Sequence, residues 1–209
     1  MSKLDEVKQA VETGKSKLIE GLVNEALAAG IEPIKILNDG MVAAMGVVGE
    51  KFQKAEIFVP EMLVAARTMK RGVDVLKPKL GAGATTSLGK CIIGTVHGDL
   101  HDIGKNLVAL MIESTGFEVF DLGVDVTKEK FIECINANPD VKVVALSCLL
   151  TTTMPSLKET AEAVKKTGKG FKLIVGGAPI TQEYAKSVGA DGYSTDAAGA
   201  ATLAKKLAS

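Results

Sequence analysis

The chain has 209 residues, 24% of them charged, and a formal net charge of zero. That balance excludes a general nucleic-acid binder and an electrostatic membrane binder, so partner surfaces must be local patches. The length suffices for one large domain or two small ones with sizeable cores.

In chain order, the first part reads as helix. Residues 3–13 form a short amphipathic piece. Residues 15–29 carry Leu18, Ile19, Leu22, Val23, Ala26 and Leu27 at the three-and-four spacing of a buried stripe, and Gly30 stops it. Pro33 opens a third helix, where its missing N–H costs little, running through Ile34, Leu37, Met41, Met45 and Phe52. Pro60 opens a fourth, with Met62, Leu63, Ala66, Met69, Val73 and Leu76 inward; Gly72 interrupts it and Pro78 closes it. Short connections make this a small antiparallel four-helix bundle. The Gly/Ala/Ser/Thr-rich stretch 79–90 lacks helical periodicity and reads as a linker. The predicted division is 1–88 helical and 89–209 α/β.

Beyond it the pattern changes to strands at 91–96, 117–123, 141–149, 171–179 and 191–193, alternating with helices at 104–115, 128–136, 155–166, 181–188 and 197–207. Such alternation predicts a five-stranded parallel sheet covered on both faces, doubly wound in the flavodoxin-like order 2-1-3-4-5. In that fold the site lies beyond the carboxyl ends of the strands, which selects the loops 97–104, 147–154 and 176–181.

The three cysteines, Cys91, Cys134 and Cys148, are far apart with no CxxC pair and read as reduced thiols. The charged N-terminus has no signal-peptide apolar core, and no apolar stretch reaches membrane-spanning length. The expectation is a soluble, cytoplasmic protein.

The loop His97-Gly98-Asp99-Leu100-His101-Asp102-Ile103-Gly104-Lys105-Asn106 holds both histidines of the chain. Asp-x-His-x-x-Gly fits a metal ligand with its supporting partner. One ring nitrogen of His101 can face a metal while Asp99 accepts the N–H of the other, fixing the tautomer. Taken singly, His101 reads as a solvated surface residue and Asp99 as a capping or turn residue. One His and one Asp cannot hold zinc. A metal bound through one protein ligand needs a cofactor to fill its other positions, and haem and corrinoid are the candidates. No CxxCH is present.

The stretch Gly98 to Asn106 closely resembles the corrinoid-binding signature of cobalamin-dependent methionine synthase. It is equally similar to that of the corrinoid proteins in methanol, methylamine and methoxyaromatic methyltransferase systems. Ser147-Cys148-Leu149 looks like the family's Ser-x-Leu after the third strand, and Gly176-Gly177 like its paired glycines after the fourth. Gly49-Glu50-Lys51-Phe52 through Phe58-Val59-Pro60-Glu61-Met62 resembles the helical cap preceding the cofactor domain. The resemblance thus covers nearly the whole chain and implies a cap over a Rossmann-type cobalamin-binding domain.

By that resemblance, the cofactor is cobalamin or a related corrinoid, with His101 the lower axial ligand of cobalt and Asp99 its hydrogen-bond partner. Thr153 stands where a serine often completes the relay; it retains a hydroxyl but adds a methyl. The alternative is that Thr151, Thr152 and Thr153 only start the next helix. Ser147 would line the pocket for the cofactor's buried tail, and Gly176 and Gly177 would let that tail pass close to the backbone. Asp102, Ile103, Gly104, Leu149 and Thr151 complete the implied contacts. Phe58 and Met62 would cover the upper face, with bundle core as the other reading. No catalytic residue is assigned.

The implied function is a methyl carrier. It accepts a methyl group on Co(I) from a substrate:corrinoid methyltransferase. It then passes that group to a methylcorrinoid:acceptor methyltransferase, whose acceptor is tetrahydrofolate or a thiol such as coenzyme M. A reductive activation protein would rescue oxidised cobalt, and the linker would act as hinge. Neither nucleic acid nor membrane is an expected partner. The alternatives are a cobalamin-dependent sensor, the cofactor domain of a mutase and a non-corrinoid flavodoxin-like module.

Overall fold

The computed structural model describes residues 2–80 and 88–208. Two compact units result: residues 1–86 with 114–116, and residues 87–113 with 117–209. Most of the expected linker, residues 81–87, lies outside the described residues.

The first unit is helical throughout. α1 (Lys3–Glu12) begins at a capping box: the Ser2 hydroxyl accepts the Asp5 amide while the Asp5 carboxylate accepts the Ser2 amide. α2 (Ile19–Ala28) starts four residues later than the spacing predicts. Residues 16–18 form a turn instead, tied by a Ser16–Thr68 hydroxyl pair and by the Arg71 guanidinium donating to the Ser16 carbonyl. Leu18 is therefore exposed, and the buried stripe begins at Ile19.

The third helical run is α3 (Pro33–Lys35), a π-helical stretch (Ile36–Val42) and α4 (Ala43–Gln53). A regular helix was expected there. Asn38, Asp39 and Gly40 are weak helix formers, and the wider turn buries Ile36, Leu37, Gly40 and Met41 together. α5 (Val59–Leu76) follows, with the Glu61 carboxylate accepting the Phe58 amide, and ends in a 3-10 turn (Lys77–Lys79). Gly72 is a contact point rather than a simple interruption: a Cβ there would lie 2.5 Å from the Met41 sulfur.

In the second unit, β1 (Gly89–Thr95), β2 (Phe117–Asp121), β3 (Val141–Ser147), β4 (Lys172–Gly176) and β5 (Gly192–Tyr193) form an all-parallel sheet. Its order is β2-β1-β3-β4-β5. This is the predicted doubly wound topology. Every residue of β1 from Cys91 to Thr95 is buried, as expected for a strand covered on both faces. The crossovers are α6 (Ile103–Ser114), α7 (Lys128–Ala137), α8 (Met154–Lys165) and α9 (Gln182–Ser187); α10 (Ala197–Ala208) closes the chain. Phe131, Ile135, Leu157 and Val164 from the helices pack on Ile92, Leu146, Leu173 and Val175 from the strands.

Candidate functional site

The pairing of β1 with β3 places Thr95 opposite Ser147, and that of β3 with β4 places Ser147 opposite Gly176. Backbone bonds extend these registers past the strand ends: the Val96 amide donates to the Ser147 carbonyl and the Cys148 amide to the Gly176 carbonyl, 3.0 and 3.1 Å. The three loops selected from the sequence are thereby fixed to one another at the carboxyl edge of the sheet, beside the β1/β3 switch point.

At the centre is Asp99, which is completely buried. Its Oδ1 accepts from His101 Nδ1 at 2.7 Å and from the His101 amide at 3.1 Å. Its Oδ2 accepts from the Leu149 amide at 2.7 Å and from the Thr153 hydroxyl at 2.8 Å. Burial alone would raise the carboxyl's pKa. The Leu149 amide, the His101 ring and amide and the Thr153 hydroxyl outweigh it and hold the group well below the usual carboxylate range. An ionised carboxylate only accepts, so Nδ1 of His101 carries a proton, and Nε2 is the ring nitrogen left to face a ligand. The His101 side chain is 49% exposed. The predicted His–Asp pair is thus assembled, and Thr153 adds its hydroxyl despite the extra methyl.

The loops that carry Asp99 and its partners also expose apolar side chains. Leu100 and Ile103 are 73% and 85% exposed, and Leu149 and Leu150 are also exposed. Exposed leucine and isoleucine clustered at a strand-end site mark a surface built to be covered. Leu100 and Leu150 escaped the sequence reading; for Leu100 the signal was an apolar residue between polar ones, whereas Leu150 follows Leu149 at the end of an apolar run. Thr95 was also missed. It is buried, and its hydroxyl donates to the His101 carbonyl at 2.8 Å. So was the use of Lys105, buried at the start of α6 with its ammonium on Asp121 Oδ1 at 2.6 Å, which ties α6 to the end of β2.

The remaining predicted residues fall as follows. Asp102 is exposed and accepts from the Asn106 amide group at 3.1 Å. Gly104 has open space where a Cβ would stand. Ser147 ends β3 half-buried, and Thr151 is exposed in a 3-10 turn (Thr151–Thr153). The paired glycines separate into two cases. Gly177 has φ +128°, and a Cβ on it would lie 1.7 Å from the Cys148 carbonyl oxygen, so the fold itself requires glycine there. Gly176 would meet nothing nearer than 4.0 Å, so its missing side chain leaves unfilled space beside the β3–β4 edge. Phe58 and Met62 belong to the helical unit. Met62 is fully buried and is a core residue rather than a cover; Phe58 is 65% exposed.

Among the described residues no cluster of three or more His, Cys, Asp or Glu side chains can hold a metal. Cys91, Cys134 and Cys148 are free, and burial pushes the Cys91 thiol up to about 12, so it supplies no thiolate. A single directed imidazole on an apolar platform fits a metal whose other ligands arrive with a macrocycle.

Residues 89–202 match the family described as B12 binding domain, and residues 3–77 match a second family of the same description. The chain belongs to the B12-binding family. It is 43% identical to the trimethylamine corrinoid protein of Methanosarcina barkeri over 91% of this chain and 89% of that one. It superposes on one chain of the methanol:cobalamin methyltransferase complex MtaBC of Methanosarcina barkeri with a TM-score of 0.88 and 27% identity, over 99% of this chain and 79% of that chain. A cobalamin-binding protein of Desulfitobacterium hafniense gives a TM-score of 0.80 and 32% identity, over 98% of both chains. The corrinoid cofactor class expected from the sequence agrees with this membership. Among the described residues no helix is long and apolar enough to cross a membrane.

Proposed function

We propose that this chain is a corrinoid-holding methyl carrier that serves between a substrate-specific methyltransferase and a second, acceptor-specific one. The observation that carries the reading is the hydrogen-bonded line His101–Asp99–Thr153, which leaves Nε2 of a half-exposed imidazole beside loops with exposed apolar side chains. When bound, the corrinoid supplies a cobalt centre that takes up and releases a methyl group. The protein's part is to hold and tune that centre. His101 Nε2 would hold the metal. Asp99 keeps the tautomer and strengthens the donor. Leu100, Ile103, Leu149 and Leu150 would exclude water from the bound group, and the open space at Gly176 would leave it room beside the backbone. Ser147, Thr151, Asp102 and Gly104 border these groups, and Phe58 is the candidate cover from the cap at 1–88.

The donor class follows the relatives' names: a methylamine or methanol, handled by a separate methyltransferase. A reductive activation protein, an acceptor methyltransferase using tetrahydrofolate or a thiol, and a cytoplasmic setting complete the proposal.

The test is reconstitution with cobalamin after uniform ¹⁵N-histidine labelling. In the Co(II) state the electron-spin spectrum of the labelled protein should show doublet splitting from one ¹⁵N axial nitrogen, where unlabelled protein shows a triplet. His101→Gln should bind cobalamin without that change. Retention of the ¹⁵N doublet in His101→Gln would refute the assignment, and failure of the native protein to retain any corrinoid would refute the function.

A further inference from the structure

The carboxyl end of β1 is gripped from a second side. The Val126 amide donates to the Thr95 carbonyl and the Thr95 amide to the Gly123 carbonyl, and an isolated parallel bridge pairs Val96 with Val126. Just before Val126 stands Asp125, with φ +52°. A non-glycine residue in this left-handed region stores backbone strain, which persists only where surrounding contacts impose it. Those contacts all converge on the axial-ligand loop. Asp125 Oδ1 accepts the Gly98 amide at 2.7 Å and is 2.7 Å from His97 Nδ1. The Asp125 amide donates to the Asp99 carbonyl at 2.9 Å. Asp125 therefore holds the residues on both sides of the Gly98–Asp99 peptide, with Gly98 itself turned to φ +82°.

We infer that Asp125, assisted by His97, is a positioning residue for the axial ligand: it sets the path of Gly98–Asp99 and so the reach of the His101 imidazole. The chain of causes is short. The carboxylate and amide of Asp125 fix the Asp99 backbone; Asp99 fixes the His101 ring; the ring presents Nε2. Asp125 acts on His101 through Gly98 and Asp99, and its pair with His97 is largely exposed, with side chains 48% and 64% accessible for Asp125 and His97. Its role is thus separable from core packing. The inference rests on the corrinoid reading above and names a residue outside the motif that carries that reading.

Asp125→Gly discriminates between function and mere structure. Glycine adopts the positive φ without strain, and that relief offsets part of the lost hydrogen bonds and of the added unfolded-chain entropy, so the variant should stay folded with a modestly lowered melting temperature. It lacks the carboxylate, so Gly98 and His97 lose their acceptor. The expected result is unchanged cobalamin stoichiometry with a fraction of ¹⁵N-histidine-ligated Co(II) lowered about two- to tenfold, less than the 10–100-fold typical of a direct ligand partner. Asp125→Asn keeps an acceptor oxygen and should recover most of the loss, and His97→Ala should cost less than Asp125→Gly. In the cofactor-free protein, the His101 amide should exchange with solvent faster in Asp125→Gly than in the native chain. An Asp125→Gly protein with native histidine ligation and native exchange at His101 overturns the inference and leaves the methyl-carrier reading intact. Absence of histidine ligation in the native protein overturns both.

Discussion

Thr153→Val tests the relay at its least expected member. The substitution keeps the β-branched shape and replaces one hydroxyl by a methyl. Asp99 is fully buried and accepts four hydrogen bonds; the variant leaves three, from the Leu149 amide and the His101 amide and ring. A hydrogen bond to a charged group contributes about 1.5–3 kcal/mol, and burying an extra methyl returns at most about 0.8 kcal/mol. The net loss is about 1–2 kcal/mol at pH 7, or roughly 2–8 °C in Tm for a chain of this size. Thr153→Ser retains the hydroxyl and should lose less. Thermal or urea unfolding of the cofactor-free protein is the assay. The pH dependence has a definite sign. The folded pKa of Asp99 is depressed, so its contribution is present above the unfolded carboxylate range and is lost as pH falls through the folded value, below that range. The gap between Thr153→Val and the native protein should therefore be full at pH 7 and narrow in strong acid. A Thr153→Val protein as stable as native at neutral pH would show that the 2.8 Å contact does not hold the carboxylate, and the relay would have to be redrawn.

The paired glycines should behave oppositely. Gly177→Ala forces a Cβ against the Cys148 carbonyl at a φ of +128° and should cost at least about 1–3 kcal/mol, with melting of the cofactor-free protein as the measurement. Gly176→Ala should fold normally and reveal itself only as faster loss of cobalamin on gel filtration. Ile103→Ser, at a residue 85% exposed, should change stability by no more than about 0.5 kcal/mol yet weaken cobalamin retention; equal retention would remove Ile103 from the platform.

Much of the second unit was legible because its signals are local. Short apolar runs such as 141–149, separated by helical periodicity and glycine turns, permit little except a parallel doubly wound sheet, and the strand-end rule then singles out the His101 loop. Asp99 beside His101 was readable because two residues of spacing suffice for that contact. The helical unit shows the limit of periodicity. The spacing from Ile34 to Phe52 is helical, yet it cannot distinguish a regular helix from one carrying a π-helical stretch, since both bury Leu37 and Met41. Nor could it tell that Met62 is enclosed while Phe58 stands outside.

What the sequence settled alone is the strand order of the parallel sheet and the strand-end loop that pairs Asp99 with His101, each set by contacts within a few residues or by chain-connection rules. What only the tertiary structure decided is the state of Asp99. Its Leu149 and Thr153 partners lie 50 and 54 residues away, and they reach it because β1 and β3 pair in a register that sets Thr95 against Ser147. The same holds for Asp125 and for the difference between Gly176 and Gly177. A hydrogen bond or a clash depends on a few tenths of an ångström, and that accuracy comes from the packing of whole strands rather than from the residues that flank the contact.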